Sequence, residues 1–161
     1  MSDKAFVDTN VLVYAHDSSL GIKHDRARAL LERLWVSQNG VLSTQVLQEL
    51  RINLGKKVAR PFSDAETRCI IEDYLRWEIV VNTPNSILEA MEIEARYKIS
   101  FWDALILQAA LNSDAQVLFS EDFSDGHAYG PVRVINPLLG IIYLTQIRPP
   151  VILSLPLISW D

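Results

Sequence analysis

Short apolar runs alternate with helix-length stretches along most of this chain, and that alternation restricts the fold more than any other feature. Ala5-Phe6-Val7, Gly40-Val41-Leu42, Glu78-Ile79-Val80-Val81, Gln116-Val117-Leu118-Phe119 and Val132-Arg133-Val134-Ile135 are too short for buried helices and read as strands. Over residues 23–38, Ala27, Leu30, Leu31, Leu34 and Trp35 share one helical face. Ser43 or Thr44 caps a helix carrying Val46, Leu47, Leu50 and Leu54, which closes near Gly55. Ser63-Asp64-Ala65-Glu66 has capping-box form and opens a helix through Ile70, Ile71, Tyr74 and Leu75. Thr83-Pro84 opens another, whose buried stripe is expected at Ile87, Leu88, Met91 and Ala95. Ser100 caps a last helix, from Phe101 to about Asn112, that is apolar nearly all round and so must be buried. Strands alternating with helices predict a three-layer α/β/α fold with a mainly parallel five-stranded sheet. At 161 residues this is one core's worth of chain.

Ligands of such sheets bind outside the strands' carboxyl ends, and four acids are placed there. Asp8 follows the first strand directly, and Asp122 follows the fourth after Ser120 and Glu121. Asp103 lies in the first turn of the all-apolar helix, and Glu49 borders the buried stripe of the helix after the second strand. Each has a plainer reading. Asp8 and Asp103 could be helix caps, Glu49 a helix-edge acid, and Asp122 one of several loop acids beside Glu121 and Asp125. Four carboxylates gathered at one crevice, however, repel one another unless cations neutralise them. Acids with few histidines and no cysteine at hand suit hard ions such as Mg²⁺ or Mn²⁺. Cys69 sits mid-helix, away from these positions, and reads as core.

The ordered set of Phe6-Val7-Asp8-Thr9-Asn10-Val11-Leu12, Glu49 after Ser43-Thr44-Gln45-Val46-Leu47-Gln48, Phe101-Trp102-Asp103-Ala104-Leu105-Ile106, Leu118-Phe119-Ser120-Glu121-Asp122-Phe123 and Val134-Ile135-Asn136-Pro137 resembles the PIN-domain ribonucleases over residues 5–137. Within them it is most similar to the VapC-type toxins of prokaryotic toxin–antitoxin pairs. The resemblance implies a Mg²⁺- or Mn²⁺-dependent endoribonuclease with one or two ions. Asp8, Glu49, Asp103 and Asp122 match the family's acidic positions as catalytic residues, with Asp8, Asp103 and Asp122 as metal ligands. Thr9 and Asn10 match the polar residues beside the first acid, and Ser120 the hydroxyl before the fourth. Ser120-Glu121-Asp122 leaves two carboxylates near one ligand position, and family spacing favours Asp122; Asp125 is a further acid expected near the site. Metal-activated water needs no histidine base, so His16 and His24 are expected at the surface or against RNA. The resemblance also implies an RNA substrate, a cognate antitoxin and a homodimer.

Basic residues gather at Lys23, His24, Arg26, Arg28 and Arg33 and again at Lys56, Lys57 and Arg60. They read either as phosphate contacts, with Lys23, Arg26, Lys56 and Lys57 the candidates for RNA, or as a solvated face balancing acids. The net charge of −5 argues against a nucleic-acid partner at first sight. Setting the four candidate acids aside leaves 16 acids against 15 bases, so the site itself accounts for most of the imbalance. Two other readings stand beside the nuclease. A phosphohydrolase or phosphotransfer domain also places acids at parallel-strand ends, but haloacid-dehalogenase-like enzymes want a second Asp where this chain has Asn10. A catalytically silent PIN-fold binding module would not need four intact acids.

The resemblance ends near Pro137. Residues 138–161 form an apolar extension that is not a membrane span, because Arg148, Pro149-Pro150 and Pro156 divide it. It is expected either to pack as an extra strand on the core or a dimer seam, or to be a non-native extension. The first ten residues carry no cationic-then-apolar leader, and the lone Cys69 cannot form an internal disulfide, so a cytoplasmic protein is expected.

Overall fold

Residues 3–140 are described in the structure, a computed structural model. The chain runs β1 (Ala5–Val7), α1 (Thr9–His16), a 3-10 turn (Ser18–Leu20), α2 (Ile22–Ser37), β2 (Gly40–Ser43), α3 (Thr44–Lys56), α4 (Asp64–Tyr74), β3 (Glu78–Val80), α5 (Pro84–Tyr97), α6 (Phe101–Asn112), β4 (Val117–Phe119), β5 (Ala128–Tyr129) and β6 (Val132–Ile135). The sheet order is β3-β2-β1-β4-β6-β5. All pairings are parallel except the β5–β6 hairpin. The chain steps outward from β1 to β2 and β3, then returns to lay β4 on β1's other side. The β1–β4 boundary is therefore the topological switch point, where α/β sheets open a crevice.

α1 packs against α2 and α3, and α3 against α4; α5 packs against α6, which also contacts β2 and β4. The result is a three-layer α/β/α fold. Its core holds Phe6, Leu12, Leu42, Leu107, Leu118 and Phe119 with no exposed surface. At the amino ends of β2 and β3, aromatic rings close the sheet. Trp35 stacks on Tyr74 at 5.8 Å, and Trp77 meets them edge-on at 5.3 and 5.5 Å. Gly40 makes this possible, because a Cβ there would lie 2.4 Å from the Trp77 ring.

The structure departs from the sequence reading in several places. A sixth strand, β5, joins the expected five; two residues long, it is too short to show a period. Gly130, with φ 58°, stands at the first position of its hairpin turn, where turns of this tightness favour glycine. The residues directly after Val7 start α1, capped by Asp8, a helix absent from the sequence reading. The predicted stripe of α5 faces outward: Ile87, Leu88 and Met91 are 48%, 61% and 54% exposed, and Ala95 is exposed as well. Small side chains, Ser86 and Ala90, are buried instead, because they let α6 approach closely. Cys69 is exposed, not core. His16 is not a surface residue: it lies edge-on to Tyr74 and Phe62, and its Nε2 is 2.9 Å from the Tyr74 hydroxyl. Burial, then the neighbouring His24, lowers its pKa to about 4. Among the described residues no helix is long and apolar enough to cross a membrane. The apolar extension falls mostly at 141–161, outside the described residues. Its first residue, Leu138, is buried against the core.

Candidate active site

The ends of β1 and β4 are tied together before any acid is considered. The Asp8 amide donates to the Phe119 carbonyl at 2.9 Å, so the residues following both strands emerge side by side. Asp8, 4% exposed, accepts at Oδ1 from the Thr9 amide (2.7 Å) and at Oδ2 from the Ser120 hydroxyl (2.7 Å). The same Ser120 oxygen accepts from the Asp122 amide at 3.0 Å. Asn10 Nδ2 donates to Asp122 Oδ2 at 2.9 Å. The Thr9 hydroxyl donates to Glu49 Oε2 (2.7 Å), while Gln45 Nε2 donates to Glu49 Oε1 (2.9 Å) and to the Trp102 carbonyl (3.3 Å). Ser100 caps α6 by accepting from the Asp103 amide at 3.1 Å. Asp103 itself returns no capping-box bond, and its carboxylate accepts none from the described residues.

Asp8 and Asp122 are each perturbed by neighbouring acids. Burial pushes the Asp8 pKa up to about 7, against the opposing bonds from Ser120 and Thr9, with Asp122 and Glu49 adding to the rise. Asp122 is also raised, by burial first and then by Asp103, Glu121 and Glu49, with Asn10 opposing. Among the described residues, no three acidic, histidine or cysteine side chains converge tightly enough to clasp an ion as they stand. The donor set still fits Mg²⁺ or Mn²⁺. Mg²⁺ keeps several waters and uses only one or two carboxylates, and the raised Asp8 and Asp122 lack the positive charge such an ion brings. Asn10 Oδ1 and Gln45 Oε1, both buried without a hydrogen-bond partner, are acceptors such waters could use.

The remaining candidates divide. Glu121 is turned aside, bonded by the Tyr14 hydroxyl and paired with Lys23 at 3.4 Å. Asp125 accepts from the Asn136 amide at 2.8 Å, which builds the loop before β5. Lys23 lies beside the acids through Glu121, but Arg26 is committed to the Leu138 carbonyl. Lys56 and Lys57 follow Glu49 by seven and eight residues, roughly 11 Å along α3, so they do not join the acids. His24 bonds the Tyr14 carbonyl at 2.9 Å. Sequence reasoning missed Gln45 and Tyr14. Each stands four residues from a recognised position, Gln45 from Glu49 and Tyr14 from Asn10, and that spacing was the available signal. Apart from the acids, a groove of about 390 Å³ runs between α2 and α4, walled by His16, Trp35, Phe62 and Tyr74 with Arg28 and Arg60.

A model of the PIN domain family matches residues 5–124. No curated protein matches the chain closely enough to count as a relative. Among solved structures, a toxin–antitoxin complex from Klebsiella pneumoniae aligns with a TM-score of 0.60 at 18% identity, covering 83% of this chain and 98% of that one. VapC20 of Mycobacterium tuberculosis, a sarcin-ricin loop cleaving toxin, aligns at 0.60 with 22% identity over 81% and 99%. DNA-bound VapBC from Salmonella typhimurium aligns at 0.55 with 18% identity over 83% and 97%. At these identities the structural likeness is one of fold.

Proposed function

The chain belongs to the PIN-domain family, and from that premise we propose that it is a divalent-metal-dependent endoribonuclease, the toxin of a type II toxin–antitoxin pair. The observation that carries the reading is the coupled acid set at the switch point, with Asp8 buried there and raised to about 7. A structural cap has no need of two other carboxylates, Asp122 and Glu49, within electrostatic reach.

Asp8, Asp103 and Asp122 would hold one or two Mg²⁺ or Mn²⁺ ions, which would supply polarisation of the scissile phosphate and a lowered pKa for an attacking water. Ser120 and the Thr9 amide fix both oxygens of Asp8. Asn10 aims Asp122, and its free Oδ1 can accept a hydrogen bond from water in the site. Thr9 and Gln45 hold Glu49 as a fixed negative pole at the rim. In-line attack leaves a 5′-phosphate and a 3′-hydroxyl. Lys23, half-exposed beside the acids, supplies a cation for the RNA backbone.

The solved complexes named above pair such folds with antitoxins, and two surfaces suit partners here. The aromatic groove between α2 and α4 fits an amphipathic antitoxin segment. The outward apolar face of α5, at Ile87, Leu88 and Met91, fits a second copy. Light scattering of the purified chain is expected to give the mass of a dimer.

The decisive experiment incubates purified protein with RNA in Mn²⁺. Cleavage is expected, stopped by EDTA, and reduced at least about 10³-fold by Asp8→Ala or Asp103→Ala, roughly 4 kcal/mol of transition-state stabilisation. No cleavage by the wild type, or normal cleavage by both variants, would sink the nuclease reading.

A further inference from the structure

We infer that Tyr14 is a positioning residue that holds Glu121 out of the metal centre, so that Ser120-Glu121-Asp122 offers the metal one carboxylate instead of two. The inference rests on the metal-dependent reading above. Each of these three consecutive side chains has its own tether on the molecule's first helix or its cap. Ser120 donates to Asp8, the cap of α1, at 2.7 Å. Asp122 accepts from Asn10 at 2.9 Å. Glu121 accepts from the Tyr14 hydroxyl. Asn10 and Tyr14 are four residues apart, so they stand on one side of α1, about 6 Å apart along its axis. One helical stripe thus sorts two adjacent carboxylates, one turned toward the acid cluster and the other one turn away.

Lys23 is the weaker second tether. Its pair with Glu121 is long at 3.4 Å, and its side chain is half-exposed, a setting in which ion pairs contribute little. It also lies over the Tyr14 ring, 5.2 Å from the centroid, so Tyr14 also contacts the other partner of Glu121. Released from the hydroxyl, Glu121 is left beside its chain neighbour Asp122. A further carboxylate tightens binding of a hard cation, because affinity follows ligand charge count, but it also fills a position that water or phosphate must occupy. Holding Glu121 aside keeps the centre open.

The test is calorimetric titration of the metal-free full chain with Mn²⁺, comparing the wild type, Tyr14→Phe, Glu121→Gln and the double variant. Tyr14→Phe is expected to bind Mn²⁺ about tenfold tighter, the scale on which outer partners tune metal affinity. Glu121→Gln and the double variant are expected to match the wild type within about twofold. An unchanged Tyr14→Phe overturns the inference while leaving the metal site standing. A gain that persists in the double variant also overturns it, because the effect then does not pass through Glu121. A wild type that binds no Mn²⁺ removes the metal reading and this inference together.

Discussion

The two ends of the sheet solve opposite problems. At the carboxyl ends of β1 and β4, charges that repel are wired in place by side-chain hydrogen bonds from Thr9, Asn10, Gln45 and Ser120. At the amino ends of β2 and β3, Trp35, Tyr74 and Trp77 pack ring on ring, with His16 joined to Tyr74 by one polar contact. The first end stores electrostatic cost that a bound cation would relieve. The second supplies dry aromatic burial that offsets it. On the proposed function, stability and chemistry are therefore carried by different residues, and each end should be open to perturbation without the other.

The sharpest way to break that separation is Tyr74→Ala. Tyr74 is 2% exposed and touches His16, Trp35 and Trp77. Removing so large a buried ring should cost about 3–5 kcal/mol, read by urea unfolding. Cleavage per folded molecule, measured where the variant remains folded, should stay near the wild-type value. Loss of cleavage under those conditions would mean the aromatic end also shapes the acid end.

A somewhat smaller effect separates the ends by pH. Asp8 has a folded pKa near 7, above its ordinary 3.8, so the folded state binds a proton the unfolded chain has released. Its contribution to stability therefore falls as pH rises from about 4 to 7. His16 has a folded pKa near 4, below its ordinary 6.5, so the unfolded state takes up the proton first. Its contribution rises with pH between about 4 and 6.5. Each is worth a few kcal/mol at full extent, and with opposite signs they largely cancel in the wild type. In EDTA, Asp8→Asn should expose the His16 rise, and His16→Gln should expose the Asp8 fall. Parallel profiles for wild type and both variants would refute the opposed linkage. Adding Mn²⁺ near pH 8 should stabilise the wild type and leave Asp8→Asn nearly unmoved.

The acid end was the more legible of the two in the sequence, for a physical reason. An apolar strand that stops abruptly at Asp8 or Ser120 must end at the sheet's carboxyl edge, so local pattern fixes the position of those residues. The aromatic end is assembled from His16, Trp35, Tyr74 and Trp77, whose meeting depends on how α1, α2 and α4 converge, and no local period records it. α1 was obscured because Val11-Leu12-Val13-Tyr14 has strand-like composition, and burial of that helix on several sides overrides propensity. α5 misled for the opposite reason. It carries large apolar residues on its outer face, and the deciding contact with α6 is made by the small Ala90.

The smallest effect concerns Gln45, the residue that links the acid end to α6. It is 4% exposed, donates to both Glu49 and the Trp102 carbonyl, and leaves its own Oε1 buried without a partner. Trp102 immediately precedes Asp103, so Gln45 fixes the approach of two acids carried by different helices. Gln45→Leu keeps the packing volume while removing both donors, and it also removes the orphaned oxygen, which limits the net change in stability to about 1 kcal/mol. Cleavage should nevertheless fall on the order of tenfold, as expected when an outer partner of a metal-site carboxylate is lost. Thr9→Val, which frees the other Glu49 oxygen, should act in the same direction. If Gln45→Leu instead lowers stability by several kcal/mol and leaves cleavage unchanged, Gln45 belongs with the packing end of the molecule, and the boundary between the two regions runs between Gln45 and the acids.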